Sequence, residues 1–177
     1  MHPILEEITG YLARIRADLS TVIDRTPPAA FDRRPVNGGW SGTGIIHHLG
    51  KVEGSSTKLL EGLFARAMAD GVGAEPGTQS WLHSIDHLRV TDRTFRIIAP
   101  DRVAPDPAAE FAASWASLQA VRPRLLRAVA SVDGRDLTTL SAPHPVLGPL
   151  NGYEWVLFIG QHEERHLSQL RETLSAG

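Results

Sequence analysis

Two histidines and a glutamate near the C-terminal end of the chain have the types and the spacing that metal chemistry needs. They form the pattern His162-Glu163-x-x-His166, which metalloproteases place on a helix to bind zinc, with the glutamate as general base. Side chains four residues apart on a helix stand one above the other, so two neutral imidazoles at this spacing can bind one divalent ion. Proteases of this class take a third ligand from downstream, but the 11 residues after His166 contain no histidine. The pattern therefore predicts a metal site rather than a protease.

The helix that carries the pattern predicts where its side chains point. At about 100° per residue, His162 and His166 lie within about 20° of Trp155, on the apolar face of the helix. Glu163 lies about 100° around from His162, so we expect it to face a groove or solvent. Gln169 follows on the face of the histidines and is expected to orient one of them.

A third ligand must come from another helix, and His48 is the candidate. At about 100° per residue, His48 lies about 60° from Ile45 and borders the apolar face of its helix, whereas His47 points away. Three histidines from two helices leave coordination positions open for water or substrate, which is typical of a catalytic metal site. Imidazole suits zinc, nickel, copper and iron, so the residues alone do not choose the metal.

The composition limits the functions that the chain can have. It contains no cysteine, which excludes disulfides, thiolate ligands and a cysteine nucleophile. The 18 Lys and Arg residues are balanced by 20 Asp and Glu, and no basic stripe predicts binding to nucleic acid or to an anionic membrane. Glu6 and Glu7 lie where a signal peptide needs an apolar core, and no apolar run reaches the roughly 18 residues of a membrane span. We expect a cytoplasmic protein with a single domain, residues 1–177.

Four apolar stripes with helical spacing predict the elements that position these residues. Ser41 is the expected N-cap of the second helix, and Pro123 is expected to kink or interrupt the third. No segment shows a convincing period-2 pattern, and residues 70–107 are expected to form a long connection with one short helix. The predicted helices cover residues 3–24, 42–69, 108–134 and 153–173. The predicted fold class is all-α, an antiparallel four-helix bundle with a long connection between helices 2 and 3.

Short motifs along the chain form a linked set. They are Trp40-Ser41, His48-Leu49, His144-Pro145-x-x-Gly148-x-Leu150, Glu154-Trp155 and His162-x-x-Arg165-His166-x-x-Gln169. Over about residues 36–175, this set resembles the DinB/YfiT-like superfamily. The resemblance implies a four-helix bundle that holds a divalent ion, zinc or nickel, through His48, His162 and His166.

The resemblance implies more than one reaction. Members of the family include thiol-dependent S-transferases and mycothiol-dependent maleylpyruvate isomerases, and others are described as metal-dependent hydrolases. In a transferase, an external low-molecular-weight thiol would attack an electrophilic small-molecule substrate, consistent with the absence of cysteine. In a hydrolase, the metal would activate water, and His144 or Glu163 would relay protons. His144 could equally be structural, packed beside Pro145 and Trp155.

A third alternative is a stress or binding module in which the metal only stabilises the bundle. A fourth protein ligand, for example from residues 70–107, would close the site and favour this alternative. A cavity beside the metal, lined by Trp40, Trp81 or Tyr153, would favour catalysis. A homodimer packed through one helical face is compatible with each alternative.

Overall fold

Four helices dominate the computed structural model, which describes residues 1–36, 38–95 and 97–175. They are α1 (Pro3–Asp24), α2 (Gly42–Ala69), α3 (Phe111–Ala130) and α4 (Gly152–Ser175). α2 packs against α3 and α4, and α1 packs against α4. The four-helix bundle that the sequence predicts is confirmed, as is the long connection between α2 and α3.

Local signals in the sequence explain where the helices begin and which faces they bury. α1 begins at Pro3, where the missing N–H of proline has no helical partner to lose. Ser41 caps α2 as predicted, because its Oγ accepts a hydrogen bond from the Gly44 N–H at 3.2 Å. Within the described part of the chain, none of the helices is both long and apolar enough to cross a bilayer.

Pro123 is expected from the sequence to kink or interrupt the third helix; an interruption is wrong, because α3 continues through Pro123. A proline cannot donate a hydrogen bond to the carbonyl four residues earlier, which belongs here to Gln119. Both residues are exposed, so water can bond to that carbonyl on the solvent side of the helix. α3 is also shorter than predicted, since it begins at Phe111 rather than Ala108 and ends at Ala130.

The connection between α2 and α3 contains two 3-10 turns in its described residues, Asp86–Leu88 and Asp101–Val103. The sequence predicts one short helix there; the first turn lies in the apolar segment that suggests it, and the second turn is not predicted. The second turn lies against α2, and the Lys51 Nζ donates a hydrogen bond to the Ala104 carbonyl at 2.8 Å. This attachment brings the end of the connection to the part of α2 that carries His48.

A β-hairpin, which the sequence analysis does not predict, precedes α4. Its strands β1 (Ser141–His144) and β2 (Gly148–Asn151) pair antiparallel, with His144 opposite Gly148. Gly148 has a φ of +85°, in the region that favours glycine. The hairpin is fixed to α4, because the Trp155 Nε1–H donates a hydrogen bond to the Ala142 carbonyl at 3.0 Å.

Close packing of α1 against α4 depends on Gly160. A Cβ at this position would lie 2.6 Å from the Cε1 of Tyr11 and 2.7 Å from the Cδ1 of Leu12. A glycine inside a helix costs about 1 kcal/mol relative to alanine, but only glycine leaves room for the α1 side chains here. This contact fixes the position of α4, the helix that carries two of the three candidate ligands.

Candidate metal centre

The structure brings together the three histidines that the sequence predicts as ligands. His48 comes from α2, and His162 and His166 come from α4. One ligand nitrogen from each ring lies within 4.8 Å of the others, and the Nε2 atoms of His48 and His162 are 3.2 Å apart. We call these three residues the histidine cluster.

Hydrogen bonds to carbonyl oxygens orient two of the rings. The His48 Nδ1 lies 2.8 Å from the Val103 carbonyl oxygen, and the His166 Nδ1 lies 2.7 Å from the Gln169 Oε1. A carbonyl oxygen only accepts, so each Nδ1 carries the proton and each Nε2 keeps its lone pair. This is the tautomer in which a histidine binds a metal through Nε2 while a second group holds the ring. Gln169 thus orients His166, as predicted.

The geometry and the protonation of the cluster are compatible with a divalent metal. Zinc–nitrogen bonds of about 2.0–2.1 Å in a tetrahedral site place two ligand nitrogens roughly 3.3 Å apart, close to the 3.2 Å between His48 and His162. Burial lowers the pKa of His48, lowers the pKa of His162 well below its ordinary value, and lowers the pKa of His166 to about 3. The three rings are therefore neutral near pH 7, which is the form that binds metals.

The cluster offers three candidate ligands among the described residues, with no fourth His, Cys, Asp or Glu in the group. It lies in the wall of a cavity of about 740 Å³, within the roughly 300–1,000 Å³ that is usual for small-molecule sites. Trp40 lines this cavity and packs on His48, with ring centroids 4.7 Å apart. Trp81 and Tyr153 are not part of the lining and pack against each other instead. A three-ligand cluster beside a cavity matches the arrangement expected for catalysis.

His144 also lines the cavity, at the end of β1. Its Nδ1 accepts hydrogen bonds from the Val146 and Leu147 N–H groups at 3.2 and 3.1 Å, so the proton of the neutral ring lies on Nε2. Burial, and then the charge of Arg102, lower the pKa of His144 to about 4. The ring packs on Trp155, at 5.2 Å between centroids, in agreement with the structural alternative. The proton relay by His144 stays a prediction. In the neutral ring, the Nε2–H is the group that can donate a hydrogen bond.

Glu163 does not join the histidines, and the expectation that it faces a groove or solvent is wrong. Its exposed fraction is 1%, and it belongs to a buried group of charges with one residue from each helix. This Arg–Glu cluster consists of Arg16 of α1, Glu53 of α2, Arg122 of α3 and Glu163 of α4.

Two guanidinium groups neutralise Glu163 inside the bundle. The Arg16 Nε donates to its Oε1 at 2.6 Å, and the Arg122 Nη2 donates to its Oε2. Glu163 is not among the residues that line the cavity. Its contacts therefore support a role in packing α4, and they offer no route for a proton to a substrate.

A family model describes most of the chain, since the model of the DinB superfamily matches residues 11–170. The chain belongs to the DinB superfamily. It is 30% identical over 145 residues to the uncharacterized protein YuaE of Bacillus subtilis (strain 168), with 80% of this chain and 81% of that protein covered. The crystal structure of TT2238, a four-helix bundle protein, matches with a TM-score of 0.64 at 21% identity, over 95% of this chain and 98% of that chain. At this identity the structural match supports the fold alone.

The Arg–Glu cluster of this DinB protein is absent from the sequence predictions, although the sequence contains a signal for it. Arg122 lies four residues after Leu118, on the apolar stripe of α3, and Glu163 lies four residues after Ile159, beside the apolar stripe of α4. A charged residue on a core stripe needs an opposite charge, because burial of an unpaired ion is very costly. Charged residues on or beside the apolar stripes therefore indicate buried ion pairs, but which of them pair depends on how the helices pack.

Proposed function

We propose that this DinB protein is a metal-dependent transferase that activates a low-molecular-weight thiol for attack on an electrophilic small-molecule substrate. The observation that carries the proposal is the histidine cluster in the wall of the cavity, with three protein ligands among the described residues. A structural metal site would be closed by a fourth protein ligand. The open arrangement therefore favours catalysis over a module that a metal only stabilises.

The Nε2 atoms of His48, His162 and His166 would hold the ion, with zinc or nickel as the expected metals. A divalent ion with open coordination positions lowers the pKa of a bound thiol or water towards neutrality. The chain contains no cysteine, so the thiol must come from outside. In the proposed reaction, its sulfur bonds to the electrophilic carbon, the leaving group departs with the bonding electrons, and the thiol proton passes to solvent.

Aromatic side chains shape the space in which this attack would take place. Trp40 packs on the cluster from one side, and Phe158 lies 5.4 Å from His162 between ring centroids. These rings would exclude water from part of the cavity, and a drier site would strengthen electrostatic interactions with a bound thiol. His144 would donate a hydrogen bond from its Nε2–H to a polar group of the substrate.

Metal content is the first test of the proposal. Elemental analysis of untagged protein purified without chelators should find about one divalent ion per chain, and His48→Ala should lose it. The matched control is His47→Gln, whose imidazole lies outside the cluster and accepts a hydrogen bond from the Asp106 N–H at 3.0 Å. A protein that binds no metal even after reconstitution would refute the proposal.

The reaction is tested by thiol consumption. The metal-loaded protein is incubated with several low-molecular-weight thiols and with chlorodinitrobenzene or monochlorobimane as the electrophile. We expect conjugation above the uncatalysed rate with at least one thiol, and loss of that rate in His48→Ala but not in His47→Gln. If metal is bound and no thiol is consumed, the transferase activity is refuted while the metal site stands.

A further inference from the structure

The cavity beside the histidine cluster carries positive charge on its lining. The charged side chains among its described lining residues are Arg93, Arg102 and Arg165, and no aspartate or glutamate is among them. A cavity with apolar walls and charges of one sign concentrates ligands of the opposite sign. The ligand that suits this cavity therefore carries negative charge.

The three arginines differ in how their charges are engaged. Arg165 is buried and donates to the backbone carbonyls of Val90, Asp92 and Phe95, so it holds the wall segment in place. Arg93 forms an ion pair with Glu172 at 2.9 Å. The guanidinium of Arg165 is thus committed to carbonyl oxygens, and that of Arg93 already has a carboxylate partner.

Arg102 is the arginine of the lining whose guanidinium N–H groups are available to a ligand. It is exposed in the 3-10 turn Asp101–Val103 and forms no ion pair with the described residues. The adjacent carbonyl of Val103 accepts the hydrogen bond that orients His48, so the backbone of Arg102 lies beside the histidine cluster. A guanidinium presents its donors in a fork that matches carboxylate, sulfonate and phosphate oxygens.

The rest of the lining is mostly apolar, and some of its apolar side chains are exposed to solvent. Ile98 is 82% exposed and Val146 is 46% exposed, and both line the cavity. Deeper apolar lining residues include Val52, Leu59, Leu147, Trp155 and Phe158. Such a surface favours a ligand whose body is apolar.

We propose that the cavity binds an organic anion with an apolar body, and that Arg102 binds its anionic group. The proposal rests on the proposed function in one respect, namely that this cavity is the substrate site. Carboxylates, sulfonates and phosphate esters share the required chemistry, since each presents anionic oxygens to a guanidinium. The electrophilic substrate or the thiol that enters this cavity thus belongs to the class of amphipathic anions.

Two fluorescent probes with the same aromatic body test the proposal. Anilinonaphthalene sulfonate carries a negative charge, and phenylnaphthylamine is its analogue without the sulfonate. Both are titrated into the full chain after metal removal with a chelator, so that direct binding of the sulfonate to a metal plays no part. We expect Arg102→Gln to weaken sulfonate binding by about tenfold, the range of a hydrogen bond to a charged group, and to leave phenylnaphthylamine binding unchanged.

The matched control is Arg127→Gln, which removes an exposed arginine of α3 outside the cavity lining. It should change the affinity for neither probe. Equal effects of Arg102→Gln on both probes, or no effect on the sulfonate, would overturn the proposal. Sulfonate binding that appears only in the metal-loaded protein would also overturn it, because the metal and not Arg102 would then hold the anion.

These titrations involve no thiol and no turnover, so their outcome is independent of the proposed reaction. If the preference for the sulfonate depends on Arg102 while no thiol is consumed, the anion site stands and the transferase activity falls. If thiol is consumed while Arg102→Gln leaves the binding of both probes unchanged, the transferase activity stands and the anion site falls.

Discussion

Consecutive residues of α4, His162 and Glu163, belong to two buried clusters that differ in how their groups are satisfied. Glu163 lies in the Arg–Glu cluster, where two arginines and two glutamates balance in charge and bond to one another. His162 lies in the histidine cluster, where three like groups present nitrogens within 4.8 Å of one another. The charges of the Arg–Glu cluster are balanced within the chain, whereas the histidine cluster is compatible with a divalent ion from outside.

The difference predicts that mutations in the two clusters will have different consequences. A balanced ion-pair cluster with one residue from each helix fixes how the helices pack, and removal of a member leaves a buried charge without its partner. The Nε2 atoms of His48 and His166 keep their lone pairs, and neutral imidazoles grouped in this way can bind a cation. Mutations in the first cluster should therefore affect folding, and mutations in the second should affect metal binding.

Removal of one arginine from the Arg–Glu cluster should give the greatest loss of stability. Arg122→Ala leaves Glu53 and Glu163 with only Arg16 as a partner, and the loss of one member of a buried ion pair costs about 3–5 kcal/mol. Urea denaturation followed by circular dichroism measures the free energy of unfolding. The expected result is a decrease of that size, or failure to fold at all.

The ion pair Arg124–Glu61 provides the control. It joins α3 to α2, as Arg122–Glu53 does, but it lies on the surface, at 2.8 Å. Arg124→Ala should cost about 0–1 kcal/mol, as is usual for exposed ion pairs. Equal effects of Arg122→Ala and Arg124→Ala would contradict the distinction between a buried structural cluster and the surface.

The histidine cluster could be predicted from the sequence, and the Arg–Glu cluster was missed, for a physical reason. The four helices and the inward direction of His162 and His166 follow from the 3.6-residue period, which local sequence reveals. The same period places Glu163 about 100° from His162, but the core of a bundle covers more than one narrow face. Whether that direction meets solvent or an arginine depends on the neighbouring helices.

The β-hairpin was missed because its strands have four residues each, too few to show alternation. Pro143 and Pro149 face each other in its register, and proline is unusual within sheets except at edges. A two-stranded hairpin is marginal alone. Contact with α4 through Trp155 stabilises it, and this contact is not visible in the local sequence.

Metal removal should affect stability only through the histidine cluster. A ligand at 100 times its dissociation constant stabilises the folded state by about 2.7 kcal/mol. The free energy of unfolding should therefore be lower by about 2.7 kcal/mol in chelated protein than in protein with this concentration of free metal. His162→Ala should abolish the difference between metal-loaded and chelated protein. A chelator effect that persists in His162→Ala would place the stabilising metal elsewhere.

Loss of the group that orients a ligand should weaken metal binding without unfolding the bundle. Gln169→Ala removes the acceptor of the His166 Nδ1–H, and such changes typically lower metal affinity by about 10–100-fold. Competition with a chelating dye measures the dissociation constant. The control, Gln119→Ala, changes an exposed glutamine of α3 and should leave the affinity unchanged. If both variants bind metal with the affinity of the native chain, Gln169 has no part in orienting the metal ligand His166.

His144 should give the smallest effect, because it belongs to neither cluster and its ring is half-buried. Burial and then Arg102 lower its pKa from 6.5 to about 4, so between these values the unfolded chain binds more protons than the folded chain. Stability from His144 is thus fully present above pH 6.5 and is lost as the pH falls towards 4. Solvent around the exposed part of the ring reduces this contribution to about 1 kcal/mol.

Urea denaturation of chelated protein between pH 6.5 and 4 measures this contribution. The free energy of unfolding should fall more steeply with pH in the native chain than in His144→Gln, which keeps an acceptor for the backbone. If stability fell equally with pH in the native chain and in His144→Gln, the pKa of His144 would be the same in the folded and unfolded chain. The buried surroundings inferred for the ring would then be wrong.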